Sequence, residues 1–290
     1  MTSPAESLES LRREIDAIDD QMHDLLMRRV EIVGQVASVK NRDASPVFIR
    51  PEREALILRR LAERHGGRLP TKVVVRVWRE ILAATANMQS PLTVAVYAPD
   101  DAVGYWDLAR DHYGSGTRMS LHGAANAVVR AVVDGTATVG VVPLPRDAEP
   151  EPWWPLLVGA GENAPSVVTR LPFIANDARP AEPVGALAIA RMTQRPTGDD
   201  VSMIVIETDA EISRDRLNEA LKAAGLSASV VAVWRDADGG ESRLHLVQAA
   251  DFLAPDDARL TALGAAPAER ILRIVPLGGY AVPLGQIDGA

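Results

Sequence analysis

The chain has 290 residues, 47% of them hydrophobic and 24% charged, with a net charge of −8 and no cysteine. This is the composition of a soluble globular protein long enough for two or three domains, and it excludes a disulfide framework, a thiolate nucleophile and a Cys-based metal site. No apolar run approaches the roughly 18 residues of a membrane span. The opening "MTSPAESLES" lacks the basic and apolar regions of a secretory signal, so a cytoplasmic location is expected. The five histidines (His23, His65, His112, His122, His245) show no ligand-like spacing, and no metal is expected. Residues 1–90 hold 15 Lys+Arg against 13 Asp+Glu, whereas the remainder holds 16 against 26. An acidic bulk argues against nucleic acid or an anionic membrane as partner, while a mildly basic segment suits a small anionic ligand.

In chain order, Leu8, Leu11, Ile15, Ile18, Met22, Leu25, Ile32, Val36 and Val39 alternate spacings of three and four, which predicts one long helix over 6–40. "NRDASP" interrupts it. Pro51 opens a second helix that stops at Gly66–Gly67, and "LPTKVVVRVWREILAATANMQS" predicts a third. Three helices of such unequal length make a poor monomer. The long exposed stripe calls for a partner helix, most simply in a symmetric dimer.

After Pro91 the period changes. "LTVAVYA", "TRMSLH" and "TVGVVPL" read as strands, alternating with the helices "GYWDLARDHYG" and "GAANAVVRAVVDG", which implies a mainly parallel sheet. A Pro-rich loop precedes probable strands in "APSVVTRLPFI" and "VGALAIARM", and "RPTGDD" reads as a linker. From 201 the order is β-α-β-β-α-β, a ferredoxin-like arrangement.

Polar residues interrupt the apolar faces of the first 90 residues. Arg29 occupies the position where the long row calls for an apolar side chain, and Lys40, 11 residues later, returns to within roughly 20° of the same face. Thr85 and Gln89 extend the face of Trp78 and Leu82, and "RPERE" puts Arg53 and Glu54 in the first turn of the second helix. Two readings stand for Arg29. It is a register-setting or snorkelling charge, or one of several cations around a pocket that an anion fills.

The motif "LRREIDAIDDQMHDLLMRR", followed by Lys40, "PEREA" at 51–55 and T-x-x-x-Q at 85–89, resembles the all-helical (type II) chorismate mutases. The version fused at the N-terminus of chorismate mutase–prephenate dehydratases, the P-proteins, is the nearest in kind. The resemblance implies an all-α, three-helix intertwined dimer over 1–90. In it Arg12 reaches into the partner's site, while Arg29, Lys40, Arg53, Glu54, Thr85 and Gln89 line the protomer's own. It implies conversion of chorismate to prephenate without a cofactor. Arg50 stands where the family often has an Asp before its "RE" motif. Arg12 and Arg29 lie 17 residues apart, about 25 Å along one helix, so they cannot clamp one chorismate-sized ligand from the same helix. If both touch substrate, Arg12 comes from another chain.

Residues 91–196 resemble a shortened prephenate dehydratase domain of α/β type. "GVVPL" stands for the family's G-V-V-P-I-E-N, with Arg146–Asp147 in place of Glu-Asn, and "TRL" at 169–171 partly matches the Thr-Arg-Phe of the dehydratase threonine. Without the second lobe there is no interlobe cleft, and a degenerate domain is expected. Residues 197–290 resemble the α+β ACT domain, ending in "LGGYAVPL". That resemblance admits Phe or Tyr as an effector, beside a purely structural or dimerising role. The leading expectation is a monofunctional chorismate mutase. The alternatives are a working bifunctional mutase–dehydratase, and a non-catalytic regulatory or binding protein of the shikimate pathway.

Overall fold

The computed structural model describes residues 4–40, 49–99, 104–161, 164–174, 185–235, 242–265 and 270–285, with backbone alone at 4–6 and 37–40. They fall into two compact units, Met1–Pro46 and Val47–Ala290. The break expected at 41–46 lies outside the described residues.

The described residues of the first unit form one helix, α1 (Pro4–Lys40), as the three–four spacing predicts. Its apolar row has nothing to bury against among the described residues of the unit: Leu11, Ile18 and Leu25 are 54%, 49% and 66% exposed.

The second unit begins with α2 (Pro51–Glu63) and α3 (Thr71–Gln89). Pro51 opens α2, where a missing N–H costs nothing. Ala55 and Leu58 of α2 pack with Val75 and Leu82 of α3 and with Phe173. There follow β1 (Thr93–Tyr97), α4 (Gly104–Tyr113), β2 (Arg118–His122), α5 (Ala125–Val133), β3 (Val139–Pro143), the short α6 (Pro155–Gly159), β4 (Ser166–Leu171) and β5 (Ala186–Ala190). β1 pairs in parallel with β2 and β3, each reached through a helical crossover. Alternation on β1 sorts its residues: Val94 and Val96 face the α4 core, and Ala95 faces the core of α5, Trp153 and Trp154. The mainly parallel sheet ends there. β5 runs antiparallel to both β3 and β4, a pairing that needs no crossover helix.

The last elements are β6 (Asp200–Asp209), α7 (Arg214–Ala223), β7 (Ala228–Trp234), β8 (Ser242–Ala249), α8 (Ala258–Gly264) and β9 (Ile271–Ala281). Their spatial order is β9-β6-β8-β7, all antiparallel, which is the expected ferredoxin-like topology. Ile204 and Ile206 point to Leu217, Leu221, Leu260 and Leu263 of the two helices. Met203 and Val205 point to the opposite core, shared with Trp153 and Trp154. A parallel bridge, Val167↔Gly278, joins β4 to β9 and makes a nine-stranded sheet.

"RPTGDD" is a clamped turn rather than a loose linker. The Asp200 carboxylate accepts from the Thr197 and Gly198 amides at 2.6 and 3.0 Å. Arg59 of α2 donates to the carbonyls of Asp199 and Val282 at 2.6 and 3.0 Å, fastening α2 to β6 and β9.

His245 on β8 is fully buried. The Thr208 hydroxyl donates to the Asp209 carbonyl, so at 3.0 Å it accepts from His245 Nε2–H, which leaves Nδ1 as a lone pair with no partner among the described residues. Burial first, then the charges of Arg243 and Arg214, lower its pKa to about 4. The unfolded chain therefore binds the extra proton as pH falls below about 6.5, and native stability is lost in that direction. Urea unfolding should show a loss between pH 7 and pH 5 that shrinks by about 2 kcal/mol in His245→Gln. An equal loss in the variant would show that His245 does not carry it.

Candidate active site

Of the seven residues singled out from the sequence, Arg12, Arg29 and Lys40 lie on α1, in the first unit. Arg53, Glu54, Thr85 and Gln89 lie on α2 and α3, in the second. Arg12 is exposed. Arg29 is half-buried, its Nη1 has no hydrogen-bond partner among the described residues, and desolvation lowers its pKa. Lys40 ends α1, and its side chain lies outside the described residues.

In the second unit Arg53 is exposed in the first turn of α2. Its neighbour Glu54 turns inward and accepts from Arg79 Nη1 at 2.6 Å. Thr85 is buried, and its hydroxyl donates within its own helix to the carbonyls of Ile81 and Leu82 at 2.9 and 3.0 Å. Both oxygen lone pairs thus stay available. Gln89 Nε2 donates to the Thr85 carbonyl at 3.1 Å, so these two residues share one face. Thr85 and Gln89 are brought together, whereas Glu54 is held by a residue the sequence reading passed over.

That residue, Arg79, is 5% exposed and lies 5.2 Å above the ring of Phe173. Burial lowers its pKa and Glu54 opposes the shift. The signal was present. Arg79 interrupts the buried row Val75, Leu82, Ala86 on α3, just as Arg29 interrupts the row on α1. The face of Trp78 drew attention instead, and Trp78 is only half-buried. Next to Arg79, burial holds the Tyr113 phenol well above its usual pKa, with the charge of Glu54 adding to the effect.

Residues 11–90 match the family model described as chorismate mutase type II. They are a type II chorismate mutase domain. All seven candidate residues of this mutase domain fall within the matched span. The bifunctional chorismate mutase/prephenate dehydratase of Stutzerimonas stutzeri is 33% identical over 151 residues, covering 51% of this chain and 41% of that protein. The enzyme of the same description from Pseudomonas aeruginosa is 32% identical over 148 residues, 50% of this chain and 40% of its own length. The chain thus spans less than half the length of these curated relatives. Both alignments are longer than the matched mutase span, so they continue outside it. Prephenate dehydratase from Staphylococcus aureus superposes with a TM-score of 0.46 at 11% identity, covering 65% of this chain and all of that one, a likeness too loose to assign anything. Among the described residues, no helix is long and apolar enough to cross a membrane.

Proposed function

We propose that the chain converts chorismate to prephenate, as a cytoplasmic homodimer in which Arg12 of one protomer completes the site of the other. The observation that carries this reading is the match of residues 11–90 to the type II mutases, with every candidate polar residue inside it. The exposed apolar row of α1 supplies the surface for a second copy. The reading keeps a mutase segment to residue 90, a dehydratase-like segment over 91–196 and an ACT-like segment over 197–290, the last with Phe or Tyr as its candidate effector.

The reaction is an intramolecular Claisen rearrangement: the ether C–O bond breaks as a C–C bond forms, with no proton transfer and no covalent intermediate. Arginines holding the two carboxylates select the compact conformer and bring the bond-forming carbons together. Lys40 and Gln89 donate to the ether oxygen, where negative charge grows in the transition state. Gln89 Nε2 keeps a second N–H for this beyond its bond to Thr85. Glu54 accepts from the substrate hydroxyl, which requires Arg79 to share its carboxylate. Thr85 orients a carboxylate or Gln89.

A second reading adds dehydration of prephenate. The relatives favour it over a monofunctional mutase, because they are described as bifunctional and their similarity runs past the mutase span. Thr169, the counterpart of the dehydratase threonine by resemblance, borders a cavity of only about 20 Å³, so prephenate could react there only if that region opened. A coupled assay on purified protein separates the readings. Phenylpyruvate formed from added prephenate establishes the bifunctional enzyme, and prephenate left intact eliminates it.

A further inference from the structure

A cleft of about 320 Å³ lies between α3, α4 and the segment that follows β4. None of the seven candidate mutase residues lines it, although its Arg79 is bonded to Glu54. Its floor is apolar, built from Val75, Leu108 and Phe173, and two buried polar groups interrupt it. One is Arg79, whose Nε has no partner among the described residues. The other is His112, 7% exposed and without a hydrogen bond among those residues. Burial, reinforced by the charge of Arg79, holds His112 neutral, so it presents one N–H donor.

The lining charges do not cancel. Arg79 is balanced by Glu54 and Arg76 by Asp111, at 2.6 and 3.0 Å. Lys72, exposed at the rim, has no ion pair among the described residues. Counted over the described residues, the cleft therefore carries one net positive charge above an apolar floor. Its volume lies at the lower end of small-ligand pockets, and an apolar cavity of about 150 Å³ already accepts benzene.

We infer that this cleft binds a small monocarboxylate with an apolar body about the size of one aromatic ring and a short chain. The ring lies on Phe173 and Leu108, and the carboxylate faces Lys72 and Arg76. The inference does not depend on the mutase reading, because its readout is binding to the full chain without chorismate.

Calorimetric titration with 3-phenylpropionate tests it, with 3-phenylpropanamide as the uncharged control. The acid should bind saturably and the amide at least about tenfold more weakly. Lys72→Glu should weaken the acid by a similar factor. Val73→Trp, placed at the exposed rim, should fill the cleft and abolish binding, while its far-UV spectrum and melting curve stay those of the parent. No saturable binding to the parent chain, equal binding of acid and amide, or undiminished binding to folded Val73→Trp would each overturn the site.

Discussion

Arg29→Ala should lower chorismate turnover by at least about a hundredfold, the scale of losing one preorganised donor to developing or bound charge. Arg29 sits in a row that otherwise reads Leu, Ile, Met and Val, and Nη1 is left without a partner among the described residues. A cation so desolvated has a lowered pKa, and the group that restores its balance is an anion. Steady-state loss of chorismate absorbance checks the effect. Near-parental turnover in folded Arg29→Ala would remove Arg29 from the site. Arg12→Ala should be similarly inactive by itself. Mixing unfolded Arg12→Ala and Arg29→Ala chains and refolding them together should recover activity, because each mixed dimer assembles one intact site from two damaged chains. With random pairing about a quarter of all sites are intact. No recovery would show that Arg12 does not act across an interface.

Glu54→Ala should lower the stability of the Val47–Ala290 unit by about 3–5 kcal/mol, the cost of stranding a buried charge. Arg79 is 5% exposed and the Glu54 side chain 17% exposed, so water cannot replace the lost carboxylate at Nη1. Arg79 Nε already lacks a partner among the described residues. The melting temperature should fall by about ten degrees for a chain of this size. Replacing both members, in Glu54→Leu/Arg79→Met, should recover most of that loss, since apolar substitution of a whole buried pair is close to neutral. The double variant also separates two roles of Glu54. Stability should return while chorismate turnover stays low, because the carboxylate that accepts from the substrate hydroxyl is still missing. Full recovery of turnover would assign Glu54 a structural role alone.

The helices were legible because their periodicity is local. The three–four spacing from Leu8 to Val39 needs no tertiary information, and α1 runs from Pro4 to Lys40 as that spacing predicts. The ferredoxin-like order was legible for a similar reason, since six short elements with consistent turn chemistry leave few topologies. Relations that depend on distant contacts were not legible. The antiparallel return of β5 beside β3 turns on strand partners far apart in sequence. "RPTGDD" carries the composition of a linker, yet Arg59, 138 residues before Thr197, pins it in place. At the candidate site, Thr85 and Gln89 could be paired from their spacing alone. The bond between Glu54 and Arg79 could not, because it depends on how α2 and α3 dock. The interrupted row that exposed Arg29 also marks Arg79, so the same rule applied to α3 locates the buried cation without naming its partner.

Chorismate loss followed by absorbance on the purified full chain, with chromatographic identification of the product, tests the mutase assignment most directly. Prephenate should appear in proportion to the chorismate consumed, either accumulating or passing on to phenylpyruvate, and without any added cofactor. Unchanged chorismate absorbance in the presence of folded protein would contradict the assignment and leave a mutase-like domain that binds without catalysing.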